Sequence, residues 1–527
     1  MYLTDAGEIA EQFQFRNENI GSLLHEWVSE HPDKVLMYWH PFTGEPGTWT
    51  YQQFWDDACA VAGGLQQRGI KPQDKVIIHC DNCPEMVISW YACALIGAVG
   101  VTTNTGATAS EMEHFVSTTE PVALITQPKF IEMLSGFKDR FEWMVTTVLN
   151  SDQTTDGATD DASFGPFEGL MDRSGSVILA DSGAMTPAGI LFTSGTTGLP
   201  KAAVHTHGNW LWAATMGPSN VDMRADDVMM AYMPFFHVNS QLWTTAIALG
   251  VGASVVLLPK VTVSRYWPIV QKYGVTHHTM MPLVLGVASK SIPEKHSLRR
   301  IGMAELADVS KAWNTRFHSI FGSTETIIHC LWSSPHRHWP DRVLGRTVPG
   351  YQCQVVNPET QEVSKPGETG ELWVKGTRGI QMFLEYYNDP EATESAFVDD
   401  WYRTGDGIRL GENGHLYFTQ RIKDMIKVGG ENVGVDEVEA VIMQLPEVFE
   451  VAVVAKKHEA LDEIPVAYVI PAEGADPDTL EARVFDHCNE HMSAFKRPRY
   501  VLVVDDFPRS LLNKVAKIKL REMAEKL

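Results

Sequence analysis

The chain has 527 residues, of which 44% are apolar and 21% charged, and its formal net charge is −23. That length accommodates several domain-sized units with ample core. The negative balance argues against nucleic acid or an anionic membrane surface as the main partner. Seven scattered cysteines suggest no disulfide framework and fit a reducing cytosol. Cys80 and Cys83 form a C-x-x-C with no further ligands at zinc spacing, so they read as two buried thiols. No run of 18 apolar residues and no signal-type N-terminus is visible, so a cytoplasmic protein without a membrane span is expected.

In chain order, a short strand is expected around Trp49–Tyr51, a buried strand at 75–79 and a helix at 84–97 with Asn82 or Cys83 near its cap. Strands at 99–103 and 122–126 flank a helix at 110–119. Residues 150–165 are polar and aperiodic and read as a surface loop. A buried strand at 188–192 runs into a glycine-rich loop. Strands at 227–233, 253–259 and 276–281 then alternate with helices at 208–217, 239–249 and 264–273. Such alternation predicts an α/β fold, a large N-terminal body of helices layered on mostly parallel sheet. From Tyr351 short runs around 355–356 and 372–374, separated by Pro and Gly turns, predict a small β module. A helix at 436–445, strands at 451–455 and 465–470, a helix at 478–492 and a strand at 500–504 predict an α+β C-terminal domain. The expected division is residues 1–420, with the β module at 351–420 inside it, and a mobile domain at 421–527.

The stretch that organises the chain follows the strand at 188–192. Thr193, Ser194, Thr196 and Thr197 offer four hydroxyls, and Gly195 and Gly198 let successive backbone N–H groups point the same way, as a nest for phosphate oxygens does. Lys201 adds a cation. The spacing is not that of a Walker A loop, because Leu199 and Pro200 separate Gly198 from Lys201. As composition alone, the segment reads equally well as an ordinary loop.

The whole string Thr-Ser-Gly-Thr-Thr-Gly-Leu-Pro-Lys resembles the phosphate loop of the adenylate-forming superfamily, which includes acyl-CoA synthetases. Four further clusters follow in that family's order. Phe321-Gly322-Ser323-Thr324-Glu325 resembles its aromatic-Gly-x-Thr-Glu motif. The resemblance implies that Phe321 and Gly322 face adenine, Thr324 reaches a phosphate oxygen and Glu325 binds Mg²⁺, a hard cation suited to carboxylate and phosphate oxygens. Thr404-Gly405-Asp406 implies a ribose contact for Asp406. Arg421-Ile422-Lys423-Asp424 through Gly429-Gly430 resembles the inter-domain stretch, with Arg421 on ribose or phosphate, Lys423 as hinge, and Gly429 and Gly430 beside the pantetheine of coenzyme A. Pro508-Arg509 through Asn513-Lys514 resembles the family's Pro-Arg-x-x-x-Gly-Lys, whose lysine bridges carboxylate and α-phosphate. Gln420 and Asn513 stand where the family commonly has Gly.

The resemblance also implies that His237, in Met-Pro-Phe-Phe-His-Val, lies at the mouth of the acyl pocket. It suggests that Lys496 and Arg497 meet the CoA phosphate, although a surface pair explains them equally. Where many relatives carry Gly-Gly-Ala-Pro-Leu, this chain has Met303-Ala304-Glu305-Leu306-Ala307-Asp308. Glu305 there is either an acyl-pocket residue or the start of a helix capped by Asp308. Asp81–Glu85 and Met425–Val433 most resemble the crotonobetaine/carnitine–CoA ligase branch. The implied activity is a two-step ligase: ATP, Mg²⁺ and a small carboxylic acid give acyl-adenylate, which coenzyme A converts to a thioester. The rivals are an adenylate-forming enzyme with another acceptor and a nucleotide-binding sensor without turnover. A homo-oligomer is compatible with the sequence.

Overall fold

The computed structural model describes residues 6–15, 18–146, 163–175, 177–193, 200–260, 262–358, 360–421, 426–428, 431–459, 461–492, 494, 496–509 and 515–527. Its strands are β1 (Val35–Trp39), β2 (Gly47–Thr50), β3 (Lys75–His79), β4 (Val99–Thr102), β5 (Ala123–Thr126), β6 (Trp143–Thr146), β7 (Phe164–Pro166), β8 (Pro187–Thr193) and β9 (Lys201–Thr206). There follow β10 (Val228–Ala231), β11 (Ser254–Leu257), β12 (His277–Thr279), β13 (Arg300–Met303), β14 (Arg316–Phe321), β15 (Leu331–Trp332) and β16 (Arg346–Thr347). The remainder are β17 (Gln352–Val356), β18 (Thr369–Lys375), β19 (Phe397–Val398), β20 (Trp401–Leu410), β21 (Leu416–Arg421), β22 (Ile426–Val428), β23 (Glu431–Val433), β24 (Val448–His458), β25 (Asp462–Pro471) and β26 (Tyr500–Val503).

Two sheets build the N-terminal body. One runs β7-β6-β5-β3-β4-β8-β9, the other β16-β15-β14-β13-β12-β10-β11-β1-β2. Their central strands are parallel, and those of the first sheet, such as β3 and β5, read as largely apolar runs because helices cover both faces of such sheets. A third sheet holds β17, β18, β20 and β19, with β21 beside β20, and a fourth holds β22 to β26. The chain divides into two compact units, Met1–Cys353 with Val374–Tyr402 and Gln354–Trp373 with Arg403–Leu527, and the division passes through β18 and β20.

The helix Pro84–Leu95 is buried on every side. Its Trp90 stacks on Trp210 at 4.2 Å and rests on Gly100 and Gly189 of neighbouring strands, where a Cβ would come within 2.7 and 3.2 Å of the indole. The glycines thus seat the helix against β8, the strand that ends at Thr193. Cys83 is the N-cap but makes no side-chain cap bond. Asn82 works across the fold instead: its Nδ2 donates to the carbonyls of Met233 (2.8 Å) and Leu258 (3.0 Å), and its Oδ1 accepts from the N–H of Phe235 (2.6 Å). Cys80 and Cys83 are both buried.

Three expectations change. Residues 201–206 form a strand, antiparallel to β8, with Thr193 opposite Lys201, where the sequence showed only the end of the glycine-rich segment. The Ala202–Val204 run is too short for its period to show. The helix expected at 239–249 carries a π-helical stretch over Gln241–Ala246, where the Thr245 hydroxyl donates to the carbonyls of Ser240 and Gln241. Asp308 lies in the first turn of the helix Ala307–Trp313 but does not cap it; Asp341 Oδ1 accepts from the N–H of Ala307 at 2.9 Å. The loop expected at 150–165 lies outside the described residues except for 163–165, and Phe164 and Gly165 belong to β7. Among the described residues no helix is long and apolar enough to cross a membrane.

Candidate active site

Both β8 and β14 are strands whose C-terminal ends release a motif, at Thr193 and at Phe321. Ligands of α/β sheets gather at such ends. The two motifs are tied together in the first unit. His205 of β9 donates from Nε2 to the carbonyl of Thr324 at 2.9 Å, and burial pushes its imidazole down to about 4, so it is neutral. Residues 384–387 cover the other edge of β9, with Tyr387 N–H to Ala202 and Leu384 N–H to Val204.

That pairing places Tyr386 opposite Ala203. The Tyr386 hydroxyl donates to Glu325 Oε1 at 2.8 Å, and Lys201 Nζ lies 4.9 Å from the centroid of its ring. Burial and the neighbouring Glu325 charge raise the phenol far above its ordinary value, so it remains a donor. Phe383 N–H donates to the Glu325 carbonyl at 2.8 Å. Glu325, 7% exposed, is therefore fixed at both backbone and side chain. Lys201, Tyr386 and Glu325 form one continuous set beside the Thr193–Lys201 pair of β8 and β9. Ser194, Gly195, Thr196, Thr197 and Gly198 lie outside the described residues.

Gly322 has a physical reason to be glycine. A Cβ there would meet the Ile328 carbonyl at 2.6 Å and Thr326 Oγ1 at 2.9 Å. Past Glu325 the chain turns sharply through Ile327, which has φ of +65°, a strained value for a β-branched residue. Its carbonyl accepts from Trp243 Nε1 at 2.9 Å.

Among the described residues no cluster of three or more His, Cys, Asp or Glu side chains could hold a metal ion. One oriented buried carboxylate still fits Mg²⁺, which takes one or two carboxylates and completes its shell with phosphate and water oxygens. His237 begins the helical segment after β10, and its loop is the one Asn82 holds. In the second unit Asp406, 4% exposed, stands opposite Arg421 in the backbone register of β20 and β21. Gly405 takes φ of +72°, and the Asp406 N–H donates to Thr404 Oγ1 at 3.1 Å. Arg497 donates to the carbonyls of Met492 and Asn489 at the end of the helix Pro477–His491, and Lys496 is its neighbour. Lys423, Gly429, Gly430 and Lys514 lie outside the described residues.

Glu305 is buried and engaged. Its Oε1 accepts from Arg316 Nη2 at 2.7 Å and from Ser333 Oγ at 2.5 Å. Burial pushes its carboxyl up to about 7, against the pull of Ser333 and Arg316. The folded state thus holds this proton more tightly than the unfolded chain does. Its contribution to stability is fullest below about 4.5 and declines as pH rises through 7. Glu305→Gln should flatten that decline. Thermal melts between pH 5 and 8 should show wild type losing Tm relative to the variant; parallel curves would refute this.

Sequence reasoning missed His205, Tyr386 and Ile327. Asp389-Pro390 after Tyr386 is a readable helix start, and Asp389 does cap the helix Pro390–Ser395. Nothing local marks the tyrosine's reach to Glu325.

Comparison with known proteins agrees with this geometry. Residues 24–387 match the model of the AMP-binding enzyme family, and residues 437–514 match its C-terminal domain. A crotonobetaine/carnitine–CoA ligase of Salmonella agona (strain SL483) is 30% identical over 521 residues, 96% of this chain and 99% of the relative. Among solved structures, ATP-bound MatB from Rhodopseudomonas palustris superposes with a TM-score of 0.82 at 26% identity, covering 96% of this chain and 99% of that one. The anthranilate CoA ligase AuaEII with anthranoyl-AMP has the same fold, with a TM-score of 0.82 at 23% identity over 97% and 98% of the two chains. A family match across both motif-bearing strand ends, and a relative aligned almost end to end, establish that this chain belongs to the AMP-binding enzymes.

Proposed function

We infer that the protein is an ATP-dependent acid–thiol ligase. It activates a small carboxylic acid as an acyl-adenylate and transfers the acyl group to coenzyme A, releasing AMP and pyrophosphate. The single observation that carries the reading is the Lys201–Tyr386–Glu325 set beside the Thr193–Lys201 pair of β8 and β9. Attack of a carboxylate on the α-phosphorus builds negative charge on phosphate oxygens. Preorganised cations and N–H donors offset such charge, the dominant contribution in phosphoryl-type transfers.

Residues 193–198 with Lys201 cradle the phosphates, and Thr324 reaches one of their oxygens. Glu325 provides the protein ligand to Mg²⁺, which neutralises phosphate charge when bound with ATP. Phe321 and Gly322 face adenine, and Asp406 and Arg421 hold ribose. Lys514 bridges carboxylate and α-phosphate. Residues 421–527 form the domain that turns about Lys423 between the half-reactions, bringing Gly429 and Gly430 to pantetheine. His237 and Glu305 keep their acyl-side assignment from the resemblance, Glu305 as a wall residue whose carboxylate Arg316 and Ser333 already occupy. Lys496 and Arg497 take the CoA phosphate. The location is cytoplasmic. The name of the Salmonella relative supports a small carboxylate and CoA as the two substrates.

Tyr386→Phe removes the donor to Glu325. A hydrogen bond to a charged group contributes about 1.5–3 kcal/mol, and tenfold in rate is about 1.4 kcal/mol. Adenylate formation should fall about tenfold or more, and the Mg²⁺ concentration for half-maximal rate should rise. An unchanged Mg²⁺ titration would remove Tyr386 from the site.

The function is tested by mass spectrometry after incubation with ATP, Mg²⁺, CoA and a pool of carboxylates comprising betaines, short fatty acids, aryl acids and steroid acids. A new acyl-CoA together with AMP is expected. AMP without thioester would replace CoA by another acceptor, and no AMP from any acid would overturn the ligase reading.

A further inference from the structure

Behind the Phe321–Glu325 loop the first unit holds a small cavity between β12, β13 and β14 and the π-helical stretch, walled by Val221, Met229 and Ile320 as well as by polar side chains. Its walls include Trp243, His278, Gly302, His318 and His329. The space is that of about one water molecule, the size of one hydroxyl or carbonyl oxygen.

His318 and His329 are 0% and 1% exposed, and none of their four ring nitrogens has a hydrogen-bond partner. The neighbouring histidines are satisfied. His278 bonds the Tyr266 hydroxyl at Nε2 (2.8 Å) and the Thr279 carbonyl at Nδ1 (3.1 Å). His277 bonds the Val221 carbonyl and the Thr276 hydroxyl. Burial pushes His329 down to about 3 and His318 well below the usual range, the latter helped by nearby His329, His277, Arg300 and Arg316. Both rings are neutral, so each carries one N–H and one lone pair, all four unpartnered, in side chains that line the cavity. Buried polar groups without partners are rare because they are costly, so the pair points to a ligand with matching oxygen chemistry.

Trp243 links this cavity to the motif loop. Its ring packs edge-on against His329 with centroids 4.6 Å apart. The same indole lies beside Gly322, where a Cβ would come within 3.1 Å of its Cζ2.

We propose that the cavity is the distal end of the acyl site, and that His318 and His329 receive an oxygen-bearing group at the far end of a short acid. This rests on the ligase reading. A hydroxyl, oxo or second carboxyl group pairs with the imidazoles. An alkyl end leaves them unpaired. A trimethylammonium end offers neither donor nor acceptor and adds positive charge beside Arg300, another wall residue.

The test uses the full chain with ATP, Mg²⁺ and CoA, and short acids of matched length ending in methyl, hydroxyl, oxo, carboxylate or trimethylammonium groups. AMP release gives kcat/KM for each. Sites built to hydrogen-bond a substrate reject analogues lacking the group strongly, so an oxygen-ended acid should exceed its methyl counterpart by about 100-fold. The winner among hydroxyl, oxo and carboxylate then separates neutral from anionic recognition. His318→Phe and His329→Phe should collapse the ratio below about 10-fold. His329→Asn, which keeps a donor and an acceptor, should retain more of it, and melting curves verify folding. Turnover led by the methyl or trimethylammonium acid, or a ratio unchanged in folded Phe variants, would overturn the proposal and leave the ligase standing. No AMP from any acid would overturn both.

Discussion

Lys514→Ala should abolish acyl-adenylate formation while thioester formation from supplied acyl-adenylate proceeds near the wild-type rate. The first half-reaction brings an anionic carboxylate to an anionic phosphate, and a cation bridging the two lowers that repulsion in the transition state. Removing one such preorganised group costs about 10²–10³ in rate, and loss of a full charge lies at or above that range. The second half-reaction starts from a neutral acyl carbon and has no use for the same cation. Pyrophosphate release with acid, and acyl-CoA formation from synthetic acyl-adenylate, measure the halves separately. Equal loss of both would contradict the role given to Lys514.

Glu325→Gln should lower adenylate formation by about 100-fold or more and shift the Mg²⁺ dependence to higher concentration. The amide keeps the side chain's volume and can still accept from Tyr386, so the Tyr386–Thr324 scaffold stays in place. What disappears is the negative charge that suits a hard cation. Unchanged Tm with lost activity is the expected combination. Retained activity at ordinary Mg²⁺ would exclude Glu325 as the metal ligand. A parallel fall in Tm and activity would make it a structural carboxylate.

These two variants probe different levels of legibility. Lys514 and Glu325 are candidates on sequence alone because each stands in a short ordered string. The flanking patterns were readable too, since buried parallel strands such as Lys75–His79 show as continuous apolar runs, and the helix Pro84–Leu95 shows through Pro84 and its length. Local physics decides such features, and a local window contains it.

By itself the sequence determined the α/β alternation, the order of five phosphate- and nucleotide-type motifs, and hence the family. Only the tertiary structure decided which distant residues complete the site. Tyr386 reaches Glu325 across 61 positions, His205 reaches Thr324 across 119, and Asn82 steadies the His237 loop from more than 150 away. Glu305, set among candidate pocket residues by position, is engaged by Arg316 and Ser333. His318 and His329 look like ordinary core residues in sequence, and only their unpaired nitrogens around one cavity mark them. Hydrogen-bond satisfaction is a property of the packed neighbourhood, and sequence spacing carries no record of it.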